Sequence, residues 1–458
     1  MSQSLAGPPA PAGEGSAGAP SARRTRKAVF GAWLGFFADL FDIYLPVIAL
    51  APASAYFAAT GVSESTQSAI SAAVFAATLV GRPLGALLFG NLADRIGRRR
   101  ITVISVTGFG VTTLAIGLLP GYQQIGMTAV VLLIALRFID GVFLGGEYSS
   151  ATPLALEASP KHRRGLYGGV IATGFPVAYC SIALLTFGLL QIIPAGGIDS
   201  PYVQWGWRIP FVIGAAISVG FAWWYARNVE ESPVFETAPD EPDTPAKTPV
   251  RELLRGRTGR DFLQVFVLTT GMWFTSYMLT AVLPGLMKTQ AGLSPTQVTF
   301  TLIIANALVV LVYLGGGLLS QRLGRRPLLI AGGLLCAIIV PVPYTMIAGG
   351  RVTSFGGVLV LAVAITLLIS VPWGCLTTYL NERFRTGVRA SGYGLGYSLG
   401  MVVPAFYAFF QTGLGQVMPH RYTAVALLVL GGLLAVTGAL LGPETRDVDM
   451  TAESAEAA

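Results

Sequence analysis

Residues 90–100 read Gly-Asn-Leu-Ala-Asp-Arg-Ile-Gly-Arg-Arg-Arg, and residues 317–326 read Gly-Leu-Leu-Ser-Gln-Arg-Leu-Gly-Arg-Arg. The two stretches carry glycines and arginines at the same spacing and lie 227 positions apart, about half of the 458-residue chain. Each stretch follows one long apolar segment and precedes another, so each is predicted to be a short charged turn between two hydrophobic helices. A chain that repeats such a turn in both halves is predicted to be a duplicated membrane bundle, and such bundles usually move solutes.

The composition independently favours a membrane protein. Hydrophobic residues make up 53% of the chain and charged residues 12%, whereas soluble proteins are about 25% charged. About twelve apolar stretches reach the length of roughly 17–25 residues that crosses a bilayer. The predicted spans are 28–51, 67–90, 101–119, 127–156, 165–193, 209–227, 262–287, 297–319, 327–349, 354–380, 388–412 and 421–442.

These spans predict an all-α membrane protein with twelve transmembrane helices in two pseudo-symmetric six-helix bundles. The first residues are rich in Ala, Gly, Pro and Ser and have no apolar face, so we expect them to be disordered. A Pro- and Asp-rich segment separates spans six and seven and is predicted to link the halves. The predicted units are a disordered cytoplasmic tail (1–22), a first bundle (23–227), a cytoplasmic linker (228–260), a second bundle (261–442) and a second cytoplasmic tail (443–458).

The basic residues predict the orientation of the chain. If the N-terminus is cytoplasmic, 24 of the 30 Lys and Arg residues fall on the cytoplasmic side, four on the opposite side and two within spans. Because positive residues are enriched in cytoplasmic loops, both termini are predicted to be cytoplasmic. The net charge of +7 reflects these loops and does not indicate a nucleic-acid partner.

Residues for metal, disulfide or nucleotide chemistry are scarce. The three cysteines, Cys180, Cys336 and Cys375, all lie in apolar segments, and the two histidines form no cluster with metal-ligand spacing. No GxxxxGK[ST] phosphate loop occurs, so the sequence lacks the nucleotide-binding motif that ATP-driven transport would use. We therefore predict no metal, no cofactor and no enzyme activity, and expect an ion or substrate gradient to supply the energy.

Ionisable residues inside spans are the strongest functional signal, because charges are expensive in the membrane. The second half offers only polar groups there, such as Asn306 and Gln411. The first half is therefore predicted to carry the proton and charge chemistry, while the second shapes the pocket. The charged residues within the predicted spans are Asp39, Asp42, Arg82, Arg137, Asp140 and Glu147.

Helical spacing groups these charges. Asp39 and Asp42 share one face of span one. Arg137 and Asp140 are also three residues apart, and Glu147 lies two turns beyond Asp140 on the same side of span four. Four acids outnumber two arginines, and burial disfavours the charged form of a carboxyl, so at least one acid is predicted to be neutral and able to carry a proton. The alternative is that these charges only pair and hold helices together.

Several short motifs follow one another along the chain, and both the motifs and their order resemble those of the major facilitator superfamily. Within that superfamily they look like the metabolite:proton symporter family. The resemblance covers nearly the whole chain. The motifs are the loop at 90–100, Arg82-Pro-Leu-Gly85, Arg137 to Tyr148, Glu157 to Gly165, Glu230-Glu-Ser-Pro233, Asn381 to Gly392 and Pro443-Glu-Thr445.

Three positions depart from the family's pattern. Asp39-Leu-Phe-Asp42 keeps both acids of span one, but Pro46 stands where the family has a tyrosine. Asp140 occupies a position where the family commonly has glutamine, and Gln321 replaces the acid of the second loop. Because the first two differences touch the expected pocket, the substrate cannot be transferred from a relative. Residues 168–176 lack the full glycine-proline signature of drug/proton antiporters, which disfavours an efflux pump.

The resemblance implies a bundle whose halves rock around a midplane cavity lined by spans 1, 4, 7 and 10. Arg82 and Arg137 would be the counter-charges for a small carboxylate, which a guanidinium binds bidentately. The aromatic residues expected to contact substrate, each of which could instead pack in the core or face lipid, are Trp273, Tyr277, Trp373 and Tyr379.

The repeated loops have a separate predicted role as a gate. Asp94 is expected to cap and pair with groups across the bundle and so to lock the outward-open state. The predicted gating residues are Asp94, Arg95, Arg98, Arg322 and Arg325.

These features predict proton-coupled uptake of a small organic anion through the inner (cell) membrane. The expected partners are the substrate, protons and the lipid bilayer, and the protein is expected to act as a monomer. Alternatives are a symporter for a sugar, polyol or zwitterion, a proton-coupled antiporter or efflux protein, and a non-transporting membrane sensor. The predicted proton-coupling residues are Asp39, Asp42, Asp140 and Glu147.

Overall fold

The computed structural model describes residues 22–58, 64–231, 253 and 255–450, and these residues form helices without any β-strand. Twelve of the helices are long and apolar enough to cross a membrane, as the sequence predicts. They are α1 (Ala22–Ala49), α2 (Ala76–Ile96), α3 (Arg98–Gly117), α4 (Met127–Glu157), α5 (Lys161–Ile192), α6 (Tyr202–Asn228), α7 (Gly256–Thr289), α8 (Pro295–Leu323), α9 (Arg325–Ala348), α10 (Phe355–Arg383), α11 (Thr386–Leu414) and α12 (His420–Leu441).

Helices α1–α6 form one bundle and α7–α12 the other, which confirms the predicted fold class. The helix that contains α2 begins before the span, at Glu64. Of the predicted tails and linker, residues 1–21, 232–252, 254 and 451–458 lie outside the described residues. The loops before α3, α5, α9 and α11 lie at one end, here called the basic end, which the charge distribution predicts to be cytoplasmic.

Short π-helical turns widen several spans next to prolines. The turn Leu45–Ala49 in α1 contains Pro46, and the turn Met278–Val282 in α7 is followed by Pro284. A similar turn, Leu335–Ile339 in α9, precedes Pro341. Proline has no N–H and clashes with the carbonyl four residues earlier, so the chain opens locally at these places.

Glycines let α2 and α4 approach to backbone contact. A Cβ on Gly85 would lie 1.8 Å from the carbonyl oxygen of Val142, and a Cβ on Gly145 would lie 2.2 Å from that of Arg82. A Cβ on Gly141 would lie 2.2 Å from the carbonyl oxygen of Thr78. The small-xxx-small spacing of Gly141 and Gly145 predicts this close approach. The contact fixes the height of Arg82 relative to the charges on α4.

Substituting Gly85 by alanine should destabilise the protein by about 1–3 kcal/mol, because backbone rather than a flexible side chain occupies the space of the new Cβ. Thermal unfolding in detergent measures the effect. Gly220→Ala on α6 is the control, since nothing lies within 4 Å of a Cβ there. Equal melting temperatures for the two variants would contradict the packing argument.

Candidate functional site

A cavity lies between the two bundles, with about 610 Å³ of empty space when its solvent-open part is included. Helix α4, which the family resemblance places at the cavity, contributes no lining residue, whereas α5, α8 and α11 do. No lining residue is charged, and the hydroxyl groups of Ser276, Ser370 and Tyr313 have no hydrogen-bond partner among the described residues. The lining residues are Phe36, Leu40, Tyr44, Ala172, Phe175, Trp273, Ser276, Leu279, Thr280, Tyr313, Ile369, Ser370, Trp373, Thr377 and Tyr397.

One buried ion pair joins α1 to α2. Arg82 donates from Nη1 and Nη2 to the two carboxylate oxygens of Asp39, at 2.8 and 3.0 Å. The side chains are 2% and 0% exposed. The guanidinium also lies 6.0 Å from the ring of Tyr148, which itself packs at a tilt against the ring of the cavity residue Tyr397, with a centroid distance of 4.2 Å. Arg82 therefore lies behind the aromatic wall of the cavity rather than in it.

A second buried cluster joins α1, α3 and α4. Arg137 Nη1 donates to Asp42 Oδ2 at 3.1 Å and to Asp140 Oδ2 at 2.9 Å. Thr113 Oγ1 lies 2.5 Å from the other oxygen of Asp42, while Oδ1 of Asp140 has no hydrogen-bond partner among the described residues. The cluster thus holds two carboxyl groups against one guanidinium.

The fourth acid, Glu147, has no ion-pair partner in the part of the chain that the structure describes. It is 1% exposed, and neither of its carboxyl oxygens has a hydrogen-bond partner within the described part of the chain. Its carboxyl group packs against α1, where a Cβ on Gly35 would lie 2.1 Å from Oε1, and the ring of Phe221 on α6 closes the same space.

The Glu147 carboxyl, the Arg82–Asp39 ion pair and the Arg137 cluster lie at successive levels along α1. Gly35, Asp39 and Asp42 are spaced by four and three residues and so face the same side of the helix. They contact Glu147, Arg82 and Arg137, respectively. Seven residues rise about 10 Å along a helix. The four predicted acids therefore form a column inside the first bundle, beside the cavity.

At the basic end, Asp94 binds the other half of the molecule. Its carboxylate accepts hydrogen bonds from the backbone N–H groups of Ala390 and Ser391, at 3.2 and 2.9 Å, and from the Ser391 hydroxyl at 2.8 Å. These groups form the N-terminus of the helix in α11, which begins at Arg389. A helix N-terminus presents free N–H groups and a positive dipole, and both favour a carboxylate.

Arg98 extends this contact. Its Nη2 donates to the Thr386 carbonyl in the second half at 2.9 Å, and it lies 3.3 Å from Glu157 and 3.4 Å from Asp94. Arg389 donates to the same Glu157 oxygen from the opposite half at 2.5 Å. The two guanidinium groups therefore share one buried carboxylate across the boundary between the halves.

The second loop repeats the arrangement. Gln321 Oε1 accepts from the N–H of Gly165 at 3.0 Å, at the start of the first α-helix of α5, Arg164–Ala172. Arg325 binds Glu382 through Nε and Nη2, both at 3.1 Å, and Arg164 lies 3.8 Å from Glu382 across the boundary. The amide of Gln321 thus makes the same kind of contact as Asp94, without the charge.

The described end of the C-terminal tail also spans the boundary. The Val448 carbonyl accepts from Arg164 Nη1 at 3.0 Å, and the Met450 carbonyl accepts from Thr386 and Arg389 at 3.2 and 3.3 Å. Met450 is 2% exposed. Among the described residues, only the Cys180 thiol makes a hydrogen bond between the halves away from the basic end, to the Ile303 carbonyl at 3.6 Å.

The sequence profile of the Major Facilitator Superfamily matches residues 32–408. The chain belongs to the Major Facilitator Superfamily. It is a transporter and not an enzyme.

Known members of the superfamily align along most of the chain. The shikimate transporter of Escherichia coli K12 is 30% identical over 439 residues, covering 94% of this chain and 97% of the relative. The proline/betaine transporter of the same strain is 28% identical and covers 90% and 83%. The structure of the proton:xylose symporter XylE with 6-bromo-6-deoxy-D-glucose superposes with a TM-score of 0.72 at 18% identity, covering 93% and 98%, and shows that the fold is shared.

The predicted aromatic residues of this superfamily member divide into three groups. Trp273 and Trp373 line the cavity and meet edge to face at 5.1 Å. Tyr277 packs at a tilt against Trp273, with a centroid distance of 5.7 Å, and is not among the lining residues. Tyr379 lies near the basic end, where Gln264 donates to its hydroxyl at 3.2 Å. The structure therefore brings two of the four to the cavity, together with Tyr397, which the sequence analysis did not identify.

The predicted gating residues also fall into two groups, those that take part in contacts at the basic end and those that do not. Asp94, Arg98 and Arg325 take part in the contacts at the basic end, whereas Arg95 and Arg322 are exposed and their side chains form no hydrogen bond or ion pair among the described residues. The partners that sequence reasoning missed lie within motifs that it quoted without a role. They are Glu157, Arg164, Glu382 and Arg389.

Replacing Trp373 by alanine should weaken substrate binding about tenfold, since one aromatic wall of the cavity is lost. Binding can be measured as thermal stabilisation by whichever compound of a panel of small carboxylates, zwitterions and sugars stabilises the unmodified protein. Trp223→Ala is the matched control, because Trp223 is 58% exposed on the outside of α6. An equal loss of affinity in both variants would remove Trp373 from the site.

Proposed function

We propose that the protein takes up a small organic metabolite by proton-coupled symport through the cell membrane, with alternating access. One observation carries the proposal: in the column, four buried carboxyl groups face two buried guanidinium groups. With all groups ionised, this site would hold two uncompensated negative charges inside the bilayer. A buried charge without a partner is costly, so protons on two of the carboxyl groups are the least costly way to neutralise the site.

The positions of the excess carboxyl groups support the assignment of these protons. The negative charge of Asp39 is compensated by Arg82, which donates to both of its carboxylate oxygens. One proton therefore belongs to the pair Asp42 and Asp140, which share a single guanidinium, and the other to Glu147, which has no hydrogen-bond donor among the described residues. Loss and gain of these protons would change the charge of the first bundle as its exposure changes, and this is what couples a proton to a rocking motion.

An organic anion is the first substrate candidate. The cavity has no charged lining residue, so a carboxylate needs Arg82, which is held by Asp39 behind Tyr397. Protonation of Asp39 would release this guanidinium for bidentate binding of the substrate. The similarity to a shikimate transporter supports this candidate.

A neutral or zwitterionic solute is the second candidate, and the cavity itself favours it. Aromatic rings alternate with the unpartnered hydroxyl groups of Ser276, Ser370 and Tyr313. Such a lining binds a compact polar solute without releasing an arginine. Aromatic faces also attract methylated ammonium groups, and the similarity to a proline/betaine transporter is consistent with that chemistry.

Replacing Asp42 by asparagine should abolish proton-driven accumulation but retain substrate exchange, because exchange does not require the proton to leave the carrier. Proteoliposomes with an inward pH gradient, containing the compound that stabilises the protein, measure both activities. Asp199→Asn, at an exposed loop position, is the control. Full accumulation by the Asp42 variant would exclude Asp42 from coupling, and accumulation by the unmodified protein that survives an uncoupler would end the symport proposal.

Replacing Asp94 by asparagine should favour separation of the halves at the basic end, because one carboxylate oxygen and the charge opposite the α11 N-terminus are lost. The expected change is about 1–3 kcal/mol, or five- to 150-fold in the ratio of conformations. Spin labels at positions 95 and 322, on a background without the three cysteines, measure the opening as a distance distribution. Asn91→Ala, one turn earlier on α2, serves as the control. An unchanged distribution in the Asp94 variant would contradict the gating role.

A further inference from the structure

Thr113 on α3 offers one hydroxyl hydrogen to two acceptors. Its Oγ1 lies 2.5 Å from Asp42 Oδ1 and 2.7 Å from the carbonyl oxygen of Phe109, and the residue is 1% exposed. A hydroxyl has one hydrogen and two lone pairs, so it donates to only one of these oxygens at a time. When the Phe109 carbonyl receives the hydrogen, Oγ1 can bond to Asp42 only as an acceptor. That bond requires a proton on Asp42 Oδ1.

The surrounding charges single out this oxygen for the proton. Arg137 Nη1 donates to Oδ2 of both Asp42 and Asp140, so the oxygens without a contact to the guanidinium are the two Oδ1 atoms. Oδ1 of Asp140 has no partner among the described residues, whereas Oδ1 of Asp42 faces Thr113. A proton on Asp42 Oδ1 therefore finds an acceptor, and a proton on Asp140 Oδ1 does not.

We propose that Thr113 is the positioning residue for the coupled proton, because its hydroxyl bonds Asp42 in both protonation states. With the proton present, Asp42 Oδ1 donates to Thr113 Oγ1, which donates to the Phe109 carbonyl. When the proton leaves for water, the electron pair of the O–H bond stays on Asp42. The Thr113 hydroxyl then turns and donates to the carboxylate. The inference rests on the proton coupling proposed above and adds the residue that holds the proton in place.

Other charged groups near Asp42 are few. On its own helix the neighbour is Asp39, which is held by Arg82 from α2, and α4 contributes Arg137 and Asp140. Helices α5 and α6 carry no acidic or basic residue at residues 165–192 and 209–226. The Thr113 hydroxyl is therefore the contact of Asp42 that can change from donor to acceptor without moving a charge.

The test compares Thr113→Val with Thr113→Ser and Thr112→Val in full-length protein in proteoliposomes. Thr112 is the matched control, since its hydroxyl donates to the Gly108 carbonyl in the same helix and contacts no acid. In Thr113→Val the ionised form of Asp42 loses a charge-assisted bond and the protonated form loses a weaker neutral one. Net proton-driven uptake should fall about tenfold, and its half-maximal pH should rise by about half to one unit.

Substrate exchange separates positioning from structural damage. Thr113→Val should exchange substrate within about twofold of the unmodified rate, because the proton stays bound during exchange. Thr113→Ser should restore both the uptake and the pH profile, and Thr112→Val should change neither. Unaltered uptake and pH profile in Thr113→Val would overturn the proposal, as would a parallel loss of exchange and uptake that serine does not rescue.

The same assay distinguishes this failure from failure of the proposed function. If Asp42→Asn loses accumulation while Thr113→Val keeps it, proton coupling stands and the role of Thr113 is wrong. If the unmodified protein accumulates nothing under a pH gradient, both proposals fall.

Discussion

The apolar interior of the bundle demands that every buried charge have a partner, and the pair of Arg82 with Asp39 is the clearest consequence. Removing one member of a buried pair typically costs about 3–5 kcal/mol, because the other charge is left alone. The backbone contact of Gly85 and Gly145 places α2 at the height where its arginine reaches α1. Packing between small residues and charge compensation are therefore two parts of one constraint on the first bundle.

The basic end shows how the duplicated loops have diverged without changing their geometry. Asp94 and Gln321 both accept hydrogen bonds from backbone N–H groups at the start of a helix in the opposite half. The carboxylate also gains from the helix dipole, whereas the amide gains only the hydrogen bond. The two sides of the same boundary therefore share one geometry but differ in charge.

The sequence predicts the fold well because hydrophobic length and repeated loops do not depend on how helices rotate. The pairing within the column does depend on rotation, which is why four acids could be found but not matched to two arginines. Tyr379 illustrates the same limit. It follows Trp373 by six residues, so it lies about 240° further around the helix, on a face that points away from the cavity. Tyr397 was missed because its helix, α11, is outside the set that the family resemblance assigns to the cavity.

The C-terminal tail has a consequence for every turnover of the carrier. Carbonyl groups of Val448 and Met450 bind arginines that belong to different halves, and Thr445 donates to Glu382 between them. The bond of Val448 to Arg164 crosses the boundary, so under the proposed alternating access it would break and re-form each time the halves separate at this end. A purification tag or fusion partner that displaced these last described residues would therefore act on the same step of the proposed cycle.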